Sequence, residues 1–172
     1  MLHKQILVAA GMALAVVILM VFYTTPQLAL RFAPPLGDDD AARLAFVARW
    51  LLVPALCLLA GIGMMANRRF FSNEAMDGTR APENRSLEIN LRYNQNTLEQ
   101  AMLAAAAWIG LALALPHERL GLIGMLAVLF AAGRVLFWVG YLIAPWARAI
   151  GFGLTFYPTA VALIWLAVRN LA

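Results

Sequence analysis

Residues 86–115 read SLEINLRYNQNTLEQAMLAAAAWIGLALAL, and the contrast between the two halves of this stretch decides what kind of protein the chain is. Over 101–115 every residue is apolar or glycine, whereas 86–100 carries Glu88, Asn90, Arg92, Asn94, Gln95, Asn96, Thr97 and Glu99. As a helix rising about 1.5 Å per residue, the stretch is long enough to cross the roughly 30 Å of bilayer hydrocarbon. Its polar half cannot face lipid, where an unpartnered polar group is heavily penalised. At about 100° per residue, Glu88, Arg92, Gln95, Asn96 and Glu99 share one face, and Asn90, Asn94 and Thr97 fall roughly opposite. Two polar faces need two protected surroundings: the helix's own bundle on one side, a neighbouring subunit or wet cavity on the other. An oligomer is therefore expected, with Asn90 and Asn94 left facing lipid in an isolated chain.

Outward from this stretch the chain is built from similar apolar blocks. Residues 6–23, 44–66, 120–144 and 149–168 complete a set of five predicted spans, the first following His3-Lys4-Gln5 and read as a retained helix, not a cleaved leader. Between the first two lies a polar connection, 31–43, with Pro34-Pro35 and the acidic run Asp38-Asp39-Asp40, which reads as a solvated loop or a helix N-cap. A longer polar loop occupies 67–85; its Asn84-Arg85-Ser86 matches a glycosylation acceptor, discounted because the loop is expected in the cytoplasm. Pro116-His117-Glu118-Arg119 is a tight turn that makes the third and fourth spans antiparallel neighbours.

Composition agrees: 63% of the 172 residues are hydrophobic and 13% charged, against about 45–50% and about 25% in soluble domains. The net charge of +4 is scattered, with no basic patch interleaved with aromatics, which argues against nucleic acid. Cys57 is the sole cysteine, so an intrachain disulfide is excluded, and no metal site is indicated. Basic residues set the orientation. With the N-terminus inside, the cytoplasmic side receives Lys4, Arg68, Arg69, Arg80, Arg85 and Arg148, and the other side Arg31, Arg43, Arg119 and Arg169. An N-terminus in the cytoplasm and a C-terminus outside follow, with a bacterial inner membrane preferred.

In the fourth span Arg134, Trp138, Tyr141 and Pro145 recur at helical spacing, with Arg148 beyond, all able to face one cleft unless Pro145 redirects the chain. An arginine at membrane depth is costly, so Arg134 should find a carboxylate or a ligand, with Glu88 and Glu99 as candidates. Single arginines near span ends are commonly interfacial anchors. Here Arg, Asn, Gln, Glu and Tyr cluster toward one membrane face, a set suited to a small zwitterion bearing carboxylates.

The run Arg92-Tyr93-Asn94-Gln95-Asn96-Thr97-Leu98-Glu99 resembles the Arg-Ala-x-x-Asn-x-x-Glu run of the membrane-associated proteins in eicosanoid and glutathione metabolism, the MAPEG family. Asn67-Arg68-Arg69-Phe70 before it, and Gly133-Arg134, Gly140-Tyr141 and Arg148 after it, agree in order and spacing. The resemblance spans 44–172 and implies an all-α, four-helix membrane domain there, with 1–30 as one extra N-terminal transmembrane helix. It further implies a homotrimer with glutathione as co-substrate, bound by Arg92, Asn96, Glu99 and Tyr141 of one subunit and by Arg68 and Asn94 of the next. Arg148 would hold the thiolate, and Arg69 from a neighbour would assist. The partner molecule would be a lipophilic small molecule or membrane lipid. Ile89, Phe137 and Gln100 depart from the leukotriene-forming branch, where an arginine and two tyrosines are common, which leaves glutathione transfer or lipid-hydroperoxide reduction as the implied activity. The competing reading is a non-catalytic lipid-binding or scaffolding protein of the same fold. A transporter is a third, though no inverted repeat is present.

Overall fold

A computed structural model describes residues 2–24, 31–32, 37–70 and 85–171. The described residues form five long helices: α1 (Leu2–Tyr23), α2 (Asp40–Phe70), α3 (Arg85–Ala114), α4 (Gly121–Ile143) and α5 (Ala149–Leu171), with a 3-10 turn at His117–Arg119 between α3 and α4. α2, α3, α5 and the segment from the 3-10 turn through α4 are each long and apolar enough to span a bilayer, and α1 contributes a shorter apolar stretch, Gln5–Val21. The protein is a multi-pass membrane helix bundle. α2 to α5 pack around one core in which Trp108, Phe130, Ile123 and Val47 are almost wholly buried. α1 lies outside that bundle, with Ala15, Ile18 and Leu19 packed on Leu129 of α4 and on Ile150 and Leu154 of α5.

Local chemistry sets the helix ends. Asp39 accepts a hydrogen bond from the Ala42 N–H at 2.7 Å, so the acidic run is the N-cap of α2. α2 continues through Arg68 and Arg69 to Phe70, beyond the apolar block, since basic side chains favour a helix C-terminus. At the opposite end of α3 the exposed carbonyls are satisfied by arginines from two other helices. Arg43 donates to the Ala112 and Leu115 carbonyls at 2.9 and 2.8 Å, and Arg169 to Ala114 at 2.6 Å.

α1 and α5 run parallel, because Gly11 meets Ala149 and Ile150 while Ala15 meets Gly153. The N-terminal ends of α1, α3 and α5 and the C-terminal ends of α2 and α4 therefore share one end of the bundle, as the five-span alternation requires.

The two polar faces of α3 are occupied differently from expectation. Asn90 and Thr97 are 1% and 0% exposed within the single chain. Trp138 donates its indole N–H to Asn90 at 3.2 Å, and Asn94 packs against Gly61 of α2. A lone chain therefore does not leave Asn90 and Asn94 facing lipid. The exposed polar face is the other one: Glu88, Arg92, Gln95 and Glu99, continued by Met102, Ala106, Ile109 and Leu113. These positions alternate by four and three residues, the spacing of a coiled-coil seam.

Candidate functional site

α4 stops at Ile143, and Ala144 is extended at φ −158° and ψ 149°. Pro145 is the cause, since a proline disfavours the helical region for the residue before it. The chain then turns through Trp146 and Ala147 and starts α5 at Ala149. Pro145 does redirect the backbone, but Arg148 still returns to the cleft. Its guanidinium carbon lies 4.6 Å from the centre of the Tyr141 ring and 6.0 Å from that of Phe137. Gly140 makes this possible: a Cβ there would sit 2.6 Å from the Ala147 carbonyl oxygen and 2.9 Å from the Arg148 nitrogen. Those obstacles are backbone and cannot rotate away.

Arg148, Arg92 and Asn96 line one cavity of about 340 Å³. Its remaining walls are apolar: Phe137 from α4, Pro145 and Trp146 from the turn, Phe152 from α5, and Val8 and Met12 from α1. Arg92 is steadied by its helical neighbour Glu88, which accepts from its Nε and Nη2 at 3.0 and 2.8 Å.

Behind Asn96 lies Arg134, 1% exposed. Among the described residues it has no carboxylate partner, and neither Glu88 nor Glu99 pairs with it, which corrects that expectation. It donates instead to Asn96 Oδ1 at 2.7 Å, Thr155 Oγ1 at 2.6 Å and the Gly151 carbonyl at 3.3 Å. The Phe137 and Phe130 rings lie 4.8 and 5.6 Å from its guanidinium carbon. The buried Gly151 carbonyl, the Thr155 hydroxyl and two aromatic faces surround the charge. A guanidinium only donates, so the Asn96 oxygen is committed to Arg134 and its amide nitrogen is left as a donor. Arg92, Asn96 and Arg148 thus present donors and positive charge to the cavity, and a matching ligand is anionic and rich in acceptors.

The structure gathers only part of the expected set. Arg92, Asn96 and Arg148 converge, with the buried Tyr141 ring beneath Arg148. Glu99 is exposed and accepts from Gln95 at 2.8 Å, outside the cavity lining. Asn94 lies against α2, Arg68 donates to Ser86, and Arg69 is exposed at the end of α2. Val8, Met12, Trp146 and Phe152 escaped the sequence reading because apolar wall residues look like any packed helix surface. Gly140 could have been found from the Pro145 that follows it, since a chain reversing there must cross α4 closely.

Curated relatives match part of the chain. Over 81 residues, 47% of the chain, it is 31% identical to Transmembrane protein 79 of Mus musculus and to that of Bos taurus, covering 21% and 20% of their lengths. The chain thus spans about a fifth of these curated relatives. No solved structure matches it. The family comparison reaches much further: the match runs over residues 6–168, from α1 to the last turns of α5, and takes in every residue that lines the cavity. With the helix bundle and the arginine-lined cleft in place, that match over nearly the whole chain makes this protein a member of the MAPEG family.

Proposed function

We propose that the protein is a membrane glutathione transferase or peroxidase that activates the glutathione thiol for attack on a lipophilic electrophile or lipid hydroperoxide. The observation that carries this reading is the position of Arg148, folded back over Tyr141 into the cavity shared with Arg92 and Asn96. Glutathione carries two carboxylates and a thiol, and the donors of Arg92 and Asn96 suit a carboxylate. Arg148 is then free to face the sulfur. A free thiol has a pKa near 8.5, and lowering it by two units takes about 2.7 kcal/mol of preferential thiolate stabilisation. A guanidinium held in a site partly screened from water is a source of that magnitude.

The thiol proton leaves to water, and at a carbon electrophile the thiolate sulfur bonds to carbon, either expelling a leaving group with its electron pair or adding to an enal whose α-carbon then takes a proton from water. At a hydroperoxide the thiolate takes the terminal oxygen, the O–O bond breaks and the released alkoxide is protonated to the alcohol, and a second glutathione converts the sulfenic acid to the disulfide and water. The acceptor arrives from the hydrocarbon, where the bilayer concentrates it.

The working form is a homotrimer joined along α3, with the cavity end in the cytoplasm. Support comes from the seam on α3, whose exposed half of Glu88, Arg92, Gln95 and Glu99 is unsuited to lipid. In this assembly Glu99 stays with Arg92 and Asn96 of its own subunit, while Arg68 and Arg69 at the end of α2 reach toward the cavity of the next.

Ultraviolet titration of glutathione bound to the purified protein tests the reading. A thiol pKa below that of free glutathione is expected for the natural protein, and one near the free value for Arg148→Lys and Arg148→Ala, since lysine keeps the charge but not the planar contact. An unshifted pKa in the natural protein would discard the catalytic reading in favour of lipid binding without chemistry.

A further inference from the structure

We propose that α1 is a wall of the acceptor subsite, with Val8 and Met12 contacting the apolar part of the second substrate and setting which acceptors fit. The proposal rests on the transferase reading of the cavity and extends it to the lipophilic substrate.

The cavity has two chemical sides. Arg92, Asn96 and Arg148 make the polar side, while Val8 and Met12 stand among the apolar walls. These two residues are half-buried and lie on the stripe 8, 11, 12 and 15 that α1 turns toward the bundle. The same stripe seats the helix. Ala15 is fully buried, Gly11 lies against Ala149, and a Cβ on Gly153 would sit 2.7 Å from the Ala15 Cβ. Small residues on both helices let α1 approach closely enough for the larger Val8 and Met12 to reach the cavity beside them. The outer face of α1 exposes Ile6, Leu14, Val17 and Met20, so the helix separates the cavity from the surrounding hydrocarbon. Met12 is unbranched and adaptable, suited to an alkyl chain of variable shape.

Two measurements test this. In the first, kcat/KM is compared for a long-chain alkenal and for 1-chloro-2,4-dinitrobenzene. Met12→Trp should lower the long-to-compact ratio by about tenfold or more, the scale on which pocket volume discriminates. Gly153→Leu, a position outside the cavity lining, forces α1 and with it Val8 and Met12 outward, and should erase chain-length discrimination. An unchanged ratio in both variants overturns the proposal. In the second, Met12→Cys in a Cys57→Ser background is labelled with a maleimide, using the absence of any other cysteine. Decanoic acid should slow labelling about tenfold if the acyl chain covers position 12. Protection in a protein that binds no glutathione would retain the lipophilic wall and discard the transferase. Unprotected labelling with glutathione binding intact would discard the wall and leave the transferase standing.

Discussion

Arg134 holds the oxygen of the Asn96 amide at 2.7 Å and so decides which end of that amide meets the ligand. Because the arginine is buried and the asparagine lines the cavity, a charge inside the bundle sets the chemistry at its surface. Asn96→Asp separates the two roles. The carboxylate forms an ion pair with Arg134, so the melting midpoint should hold or rise, while the donor to the ligand is lost. Calorimetry should show glutathione binding weakened by about 1.5–3 kcal/mol, the range for a hydrogen bond to a charged group. Unchanged affinity would mean that Asn96 serves only the bundle.

Gly140 is a second lever on the site from a distance. In Gly140→Val the added side chain meets the backbone of Ala147 and Arg148, so the turn shifts away from α4. Overpacking of this kind costs about 1–3 kcal/mol of stability. Glutathione should still bind through Arg92 and Asn96, but its thiol pKa should drift toward the free value as Arg148 leaves Tyr141. Ultraviolet titration of the bound thiol reads the effect, and an unmoved pKa would sever the link between Gly140 and Arg148.

The seam on α3 is tested at Ala106, which is exposed in the single chain. Facing lipid, Ala106→Trp is harmless; facing a symmetry axis, it has no room. Mass measurement in mild detergent should give three chains for the natural protein and a smaller species for the variant. Three chains in both would move the interface off this face.

At the opposite end of the bundle Asp38 Oδ1 is shared by Arg43 at 2.5 Å and His117 at 3.0 Å. Its hydrogen bond from Arg43 is the main cause holding the carboxyl below its ordinary pKa, with His117 adding to it. A carboxylate depressed in the folded state contributes stability in full above its unfolded pKa of about 3.9 and loses it as pH falls through the lower folded value. The melting midpoint of Asp38→Asn should therefore lie below that of the natural protein at pH 6, with the gap starting to close below about pH 4 and vanishing only once pH has passed the lower folded pKa. A gap that persists in acid would assign the effect to something other than this charge.

Much of this fold is legible in the sequence because hydrocarbon imposes a simple length rule. The blocks at 44–66 and 149–168 could be nothing but spans, and Pro116 to Arg119 leaves no room for anything but a reversal. The polar residues of α3 were legible as two faces from their spacing alone. Which face turns inward was not, since Asn90 and Glu88 are both polar, and only packing against Trp138 distinguishes them. Arg134 misled for a related reason. Its charge called for an acid, whereas neutral acceptors and two phenyl rings surround it and leave its Nε without a partner among the described residues, and rings three residues or a turn away carry no polar signature in a sequence. The cavity itself depends on α1 meeting α5, a contact between residues far apart in the chain and apolar on both sides.

The partners of Arg134 also impose an order on biosynthesis. Asn96 precedes it in the chain, but Gly151 and Thr155 are made afterwards, on α5. When α4 first leaves the ribosome its arginine has one acceptor behind it and two not yet synthesised. A lone α4 would carry an ill-satisfied cation into the hydrocarbon, so its entry is coupled to that of α5, and the two helices commit to the membrane as a pair. A nascent chain cut between them should stall at the translocon, which makes Arg134 a checkpoint on assembly as well as a support for the site.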